Sequence, residues 1–140
     1  MTLVAVLIGL FSLTACAKGK QPVPFQDLPE MVKAAVQKVY TQEQISYITW
    51  EKALGKDEYE FMLVDGTKME YYETGQLHEI KSAAGVPDAL IPDPILNYVR
   101  TTIPNAIITE YKNDPYKQEV ELNNDMELVF NRRGDFLRID

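Results

Sequence analysis

The chain nearly repeats itself, and that self-similarity restricts it to folds assembled from two like units. Leu28-Pro29 opens a helical pattern, and Ile91-Pro92 opens another 63 residues later. Leu28, Val32, Ala35, Val36 and Val39 fall at helical spacing in the first, and Ile91, Ile95, Tyr98, Val99 and Thr102 in the second. Asp27 with Glu30 three residues on reads as a capping box with Asp in the capping place. Pro29 and Pro92 suit a first helical turn, and Pro104 closes the second helix.

A short β-run follows each helix, Ile45-Ser46-Tyr47-Ile48 and Ile108-Thr109-Glu110-Tyr111. The offset then changes from 63 to 59, so the first unit carries four extra residues within Thr49 to Glu58. Beyond them Tyr59, Phe61, Leu63, Met69 and Tyr71 correspond to Gln118, Val120, Leu122, Leu128 and Phe130. A period of two in these runs marks strands with one buried face. Asp65-Gly66 is a two-residue hairpin signal, with Asn124-Asp125 as its weaker counterpart. Gly75 and Gly134 offer positive φ in second turns.

The predicted class is α+β, a tandem duplication of a helix followed by antiparallel strands. Half a sheet with one helix covers itself poorly, so the helices are expected to pack together on one face of an antiparallel sheet. Whether the halves continue a single sheet is not decided by the sequence. The units are read as 27–80 and 91–140, with a connector over 81–90.

Residues 1–16 read as an export signal. No charge occurs from Met1 to Ala17, and Leu3 to Leu13 is almost wholly apolar. That run is shorter than the roughly 20 residues of a permanent span, and it fits a secretory h-region. The basic n-region of such signals is missing, which points to a start upstream. Leu13-Thr14-Ala15-Cys16 resembles a bacterial lipobox, which makes Cys16 a lipid attachment point and residues 17–26 a linker. Ala15-Cys16-Ala17 also reads as an A-x-A cleavage site that releases a soluble protein. The expected address is the periplasm or an outer-membrane lipid anchor, with secretion as the lesser alternative. Cys16 is the single cysteine, so an intramolecular disulfide is excluded.

The helix after Leu-Pro, the runs I-S-Y-I, Y-E-F-M-L-V-D-G-T-K-M-E-Y and E-T-G-Q-L-H-E-I, then G-V-P-D-A-L-I-P and a second copy ending N-R-R-G-D-F-L-R-I-D, together resemble the PepSY-like family of exported bacterial proteins. The resemblance covers about Asp27 to Asp140. It implies a fold similar to that of the β-lactamase inhibitor protein, which binds its target enzyme through one sheet face. Related PepSY domains are proposed to restrain peptidases. Fold does not fix function, and no functional residue is carried over.

With 14 Lys+Arg against 21 Asp+Glu, the net charge of −7 disfavours nucleic acid. No G-x-S-x-G, H-E-x-x-H, P-loop or C-x-x-C occurs, and no D-x-[DN]-x-[DN]-G calcium loop. No enzyme, cofactor or metal is therefore expected. His78, the single histidine, has Leu137 as its counterpart and reads as an ordinary strand position.

The expected binding surface is the sheet face opposite the helices: Glu60, Met62, Lys68, Glu70 and Tyr72, with Glu119, Glu121, Glu127, Val129 and Asn131. An exposed strand face that is merely solvated is the plain alternative. Trp50, within the extra residues, reads either as an interface anchor on a hairpin loop or as a cover for the sheet edge. The function expected is binding of a protein or peptide, with enzyme restraint as one version. Small-ligand or cation binding by the acidic face is the alternative, and a carboxylate-pair enzyme ranks last.

Overall fold

The computed structural model describes residues 19–140. The leader reading, Cys16 included, lies outside the described residues. Two helices, α1 (Glu30–Gln37) and α2 (Asp93–Thr102), accompany nine strands. These are β1 (Gln21–Pro22), β2 (Ile45–Ala53), β3 (Lys56–Leu63), β4 (Lys68–Tyr72), β5 (Leu77–Lys81), β6 (Ile108–Asn113), β7 (Gln118–Leu122), β8 (Glu127–Phe130) and β9 (Phe136–Ile139). They form one sheet in sequential order, each strand antiparallel to the next. The fold is α+β, and the sheet is continuous across the β5–β6 seam. Among the described residues no helix is long and apolar enough to cross a membrane.

Strand register sets the two faces. Ile48, Phe61, Met69, Ile80, Tyr111, Val120 and Leu128 stand opposite one another across successive strands, and all are buried. They join Val32 and Val36 of α1 and Ile95, Leu96 and Val99 of α2 in one apolar cluster. Both helices therefore cover the same face. Each fully buried side chain of this type contributes about 1.5–3 kcal/mol relative to exposure. The odd–even alternation of the pleat sends the intervening side chains to the other face, which carries no helix among the described residues.

Three local expectations need correction. The first turn of α1 is not closed by Asp27. Asp27 ends a short 3-10 turn, and Pro29 occupies the N-cap without a side-chain cap. A proline disfavours helical backbone at the residue before it. Leu28 is accordingly extended (ψ 150°), and the helix starts only after Pro29. The stretch read as linker is partly folded: β1 pairs Gln21 with Trp50 and Pro22 with Thr49, at a sheet edge where a missing N–H is tolerated. The four extra residues lengthen the β2–β3 hairpin, whose turn is Leu54-Gly55 at φ 50° and 79°. Trp50 is therefore mid-strand, paired with Gln21 and Tyr59.

Two bulges recur at related places. Ser46 and Thr109 are the extra residues opposite β3 and β7, and His78 and Leu137 the extra residues opposite β4 and β8. A bulge sends two successive side chains to one face. That places His78 beside Glu79 on the helix-free face.

Candidate functional site

The helix-free face is organised in rows that cross the sheet. One row runs Thr49, Glu60, Glu70, Glu79, Lys112, Glu119, Val129, Arg138. The next runs Tyr47, Met62, Lys68, Lys81, Glu110, Glu121, Glu127. Like charges directly opposite are unfavourable, and here Glu60, Glu70 and Glu79 are neighbours, as are Lys68 and Lys81. The rows offset each other diagonally. Lys68 Nζ lies 3.0 Å from Glu60 and 3.2 Å from Glu70, and Lys81 Nζ lies 3.1 Å from Glu79 and 3.4 Å from Glu110.

This lattice shifts the carboxyls in opposite directions. Burial pushes Glu60 up, but hydrogen bonds from Lys20 and Lys68 outweigh it and hold its pKa below the usual value. Glu79 is likewise lowered, because Lys81 and a hydrogen bond with Glu110 overcome its burial. Glu110 is raised, by burial and by Glu79 beside it. Glu58 is raised chiefly by burial, against the pull of His78. A divergent carboxylate pair is a sign of acid–base chemistry when it lines a pocket. The depression nearby, lined by Glu110, Lys112, Glu119, Glu121 and Glu127, holds only about 30 Å³. That is room for about one water. A larger hollow of about 230 Å³ lies at the end of the face, where Lys56, Tyr72, Asn113, Asp114 and Arg132 line it; the row of carboxylates itself borders no cleft.

The pairings bring together Glu60, Met62, Lys68, Glu70, Tyr72, Glu119, Glu121 and Glu127 on this one face. Two expected members differ. Trp50 stands opposite Tyr59, which stands opposite the buried Tyr71, so its register assigns it to the helix side. Val129 is on the helix-free face but has no exposed surface, being flanked across the strands by Glu119 and Arg138. Long side chains cover apolar neighbours with their methylene stems, so Val129 is not available for contact. Sequence reasoning missed Tyr47, half exposed beside Met62, and the pair Glu79 and Glu110. Alternation from Ile48 would have found Tyr47.

At one end of the face His78 is enclosed by acids. Its Nδ1 is 3.5 Å from both Glu58 Oε1 and Glu70 Oε2, and its Nε2 is 3.3 Å from Asp114 Oδ1. The ring stacks on Tyr72 at 4.8 Å between centroids and 25° between planes. Lys56 Nζ sits 5.0 Å from the Tyr72 ring centroid.

The family model described as "Putative beta-lactamase-inhibitor-like, PepSY-like" matches residues 14–78 and 57–138. The chain belongs to the PepSY-like family. A structure from Bacteroides thetaiotaomicron, described as "a putative calcium-regulated periplasmic protein", is 25% identical with a TM-score of 0.80, covering 86% of this chain and 96% of its own. Two structures from Bacteroides vulgatus, each described as "a putative periplasmic protein", are similar as well. One, of the DUF2874 family, is 25% identical with a TM-score of 0.81, covering 89% of this chain and 98% of its own. The other, of unknown function, is 26% identical with a TM-score of 0.79, covering 87% and 99%. No curated protein matches the chain. The periplasmic descriptions of these structures support an exported location for this PepSY-like chain, and the family description is inhibitor-like rather than catalytic.

Proposed function

We propose that this PepSY-like protein is a non-catalytic envelope protein that binds a protein or peptide through the helix-free sheet face, with restraint of an enzyme as one outcome. The observation that carries the reading is the uncovered face itself. It presents ordered acids and lysines with Tyr47, Met62 and Tyr72 among them, and the depression among its carboxylates is too shallow to enclose a metabolite. Broad, shallow surfaces suit macromolecular partners, whereas small ligands need concave pockets. The excess of carboxylates favours a basic partner, steered by complementary charge. Capture from the envelope tests this. A Met62→Ala, Tyr72→Ala double variant is expected to lose the partner held by the wild type, and an unchanged partner list removes the face from consideration.

Two finer points belong to the same proposal. The units 27–80 and 91–140 are copies of one ancestral module, a reading supported by the recurring bulges and by the two overlapping family matches. Cleavage before Cys16 and its lipidation tether the domain to a membrane, since two or more acyl chains give stable anchoring. Cys16→Ser is expected to move the protein to the soluble fraction, and persistent membrane association argues for another anchor.

A further inference from the structure

We propose that Glu58, Glu70 and His78 form a binding site for one divalent transition-metal ion of the zinc type. Three ligating side chains converge there, with one donor atom of each within 4.8 Å of the others, and His78 Nδ1 lies 3.5 Å from both Glu58 Oε1 and Glu70 Oε2. His78 Nδ1 is fully shielded from solvent and makes no hydrogen bond. Its 3.5 Å distances to the two carboxylates exceed the usual hydrogen-bond length. They do match the edge of a tetrahedron: ligands about 2.0–2.1 Å from a zinc ion lie roughly 3.3–3.4 Å apart.

The surroundings orient these donors as a metal site requires. Asp114, from the β6–β7 turn, accepts a hydrogen bond from Nε2–H, which turns Nδ1 toward Glu58 and Glu70; a metal ion would take the place of any proton on that nitrogen. A carboxylate behind a ligating histidine in this way fixes the tautomer and raises its basicity. Tyr72 stacks on the imidazole and holds its plane. Lys68 engages Glu70 Oε1 and leaves Oε2 free to ligate.

The arrangement is particular to one half. With an offset of 59, Glu58, Glu70 and His78 map to Lys117, Val129 and Leu137. The stoichiometry is therefore one ion per chain. The imidazole decides the class of ion, because calcium takes six to eight oxygen ligands whereas imidazole suits zinc, copper and nickel.

The test uses the full chain without a histidine tag and with Cys16→Ser, so that no thiol competes. Titration with zinc chloride against a chromophoric chelator is expected to give one equivalent bound. Cobalt chloride is expected to give the intense visible bands of a tetrahedral ion with nitrogen and oxygen donors. His78→Gln is expected to weaken zinc binding at least about tenfold, and Asp114→Asn by roughly 10–100-fold through loss of the orienting contact. Both variants are expected to keep the wild-type melting temperature in EDTA. Zinc uptake unaffected by His78→Gln, a weak octahedral cobalt spectrum, displacement of zinc by millimolar calcium, or no zinc bound would each overturn the site.

Discussion

Gly75→Ala is expected to destabilise the protein by about 2–4 kcal/mol, combining backbone strain with a steric clash. Gly75 has φ +82° in the β4–β5 turn, and its amide closes the turn on the Tyr72 carbonyl at 2.9 Å. A Cβ there would lie 2.6 Å from the Met31 carbonyl oxygen and 3.0 Å from its carbonyl carbon. Those are backbone atoms of α1, so no rotamer change relieves the contact. Gly66→Ala is the control. Gly66 has φ +88° but an added Cβ meets nothing within 4 Å, so only the conformational cost remains, about 1–2 kcal/mol. The difference between the variants in urea unfolding isolates the contact between turn and helix. Equal losses would show that the turn does not press on α1. A turn glycine also approaches a helix in the second half, where a Cβ on Gly134 would lie 2.9 Å from the side-chain Cβ of Pro94. Met31 and Pro94 are 63 apart and Gly75 and Gly134 are 59 apart, the two offsets of the repeat.

Phe61→Ala is expected to cost about 3–5 kcal/mol, the range for deleting a fully buried aromatic side chain. Phe61 has no exposed surface and meets Tyr71 edge-on, with centroids 5.8 Å apart and planes at 82°. Against a total stability of about 5–15 kcal/mol, this is a fifth or more of what holds a small domain together. The melting temperature should fall by roughly 10–25 °C. Met62→Ala, one residue along and on the other face, is expected to change stability by less than about 1 kcal/mol. The contrast is a test of register, since a one-residue slip exchanges the faces of β3. Comparable losses in the two variants would place Met62 in the core.

Much of this was legible in the sequence because alternation and helical spacing are direct consequences of burial. Phe61, Met69 and Val120 are spaced by the pleat, and Val32, Val36, Ile95 and Val99 by the helical turn; all lie in one core. The helix-free face followed from the same alternation, and eight of its expected residues lie together. What sequence spacing did not carry were effects of register and of neighbours. Trp50 looked like a loop residue because the hairpin extension could not be told from a longer loop. Val129 was placed on the correct face, but its burial depends on Glu119 and Arg138, which reach it only across strands. Asp27 looked like a cap because the effect of Pro29 on Leu28 outweighs the capping preference.

His78 is the most instructive case. On a regular strand it would alternate with Glu79 to the opposite face, and nothing near it in sequence is a partner. The bulge against β4 re-aims it, and its neighbours come from three other elements: Glu58 from β3, Glu70 and Tyr72 from β4, and Asp114 from the β6–β7 turn. A bulge has no reliable sequence signal, so this cluster became visible only once the strands were paired.

Contact with a partner is expected on the helix-free face. Site-specific photo-crosslinking in intact cells addresses it most directly, with the reactive group at Met62 or Tyr72 on that face and at Met31 or Thr101 on the exposed sides of α1 and α2. Discrete partner adducts from Met62 and Tyr72, with none from Met31 and Thr101, are the predicted result. Adducts from the helix positions alone would contradict the account.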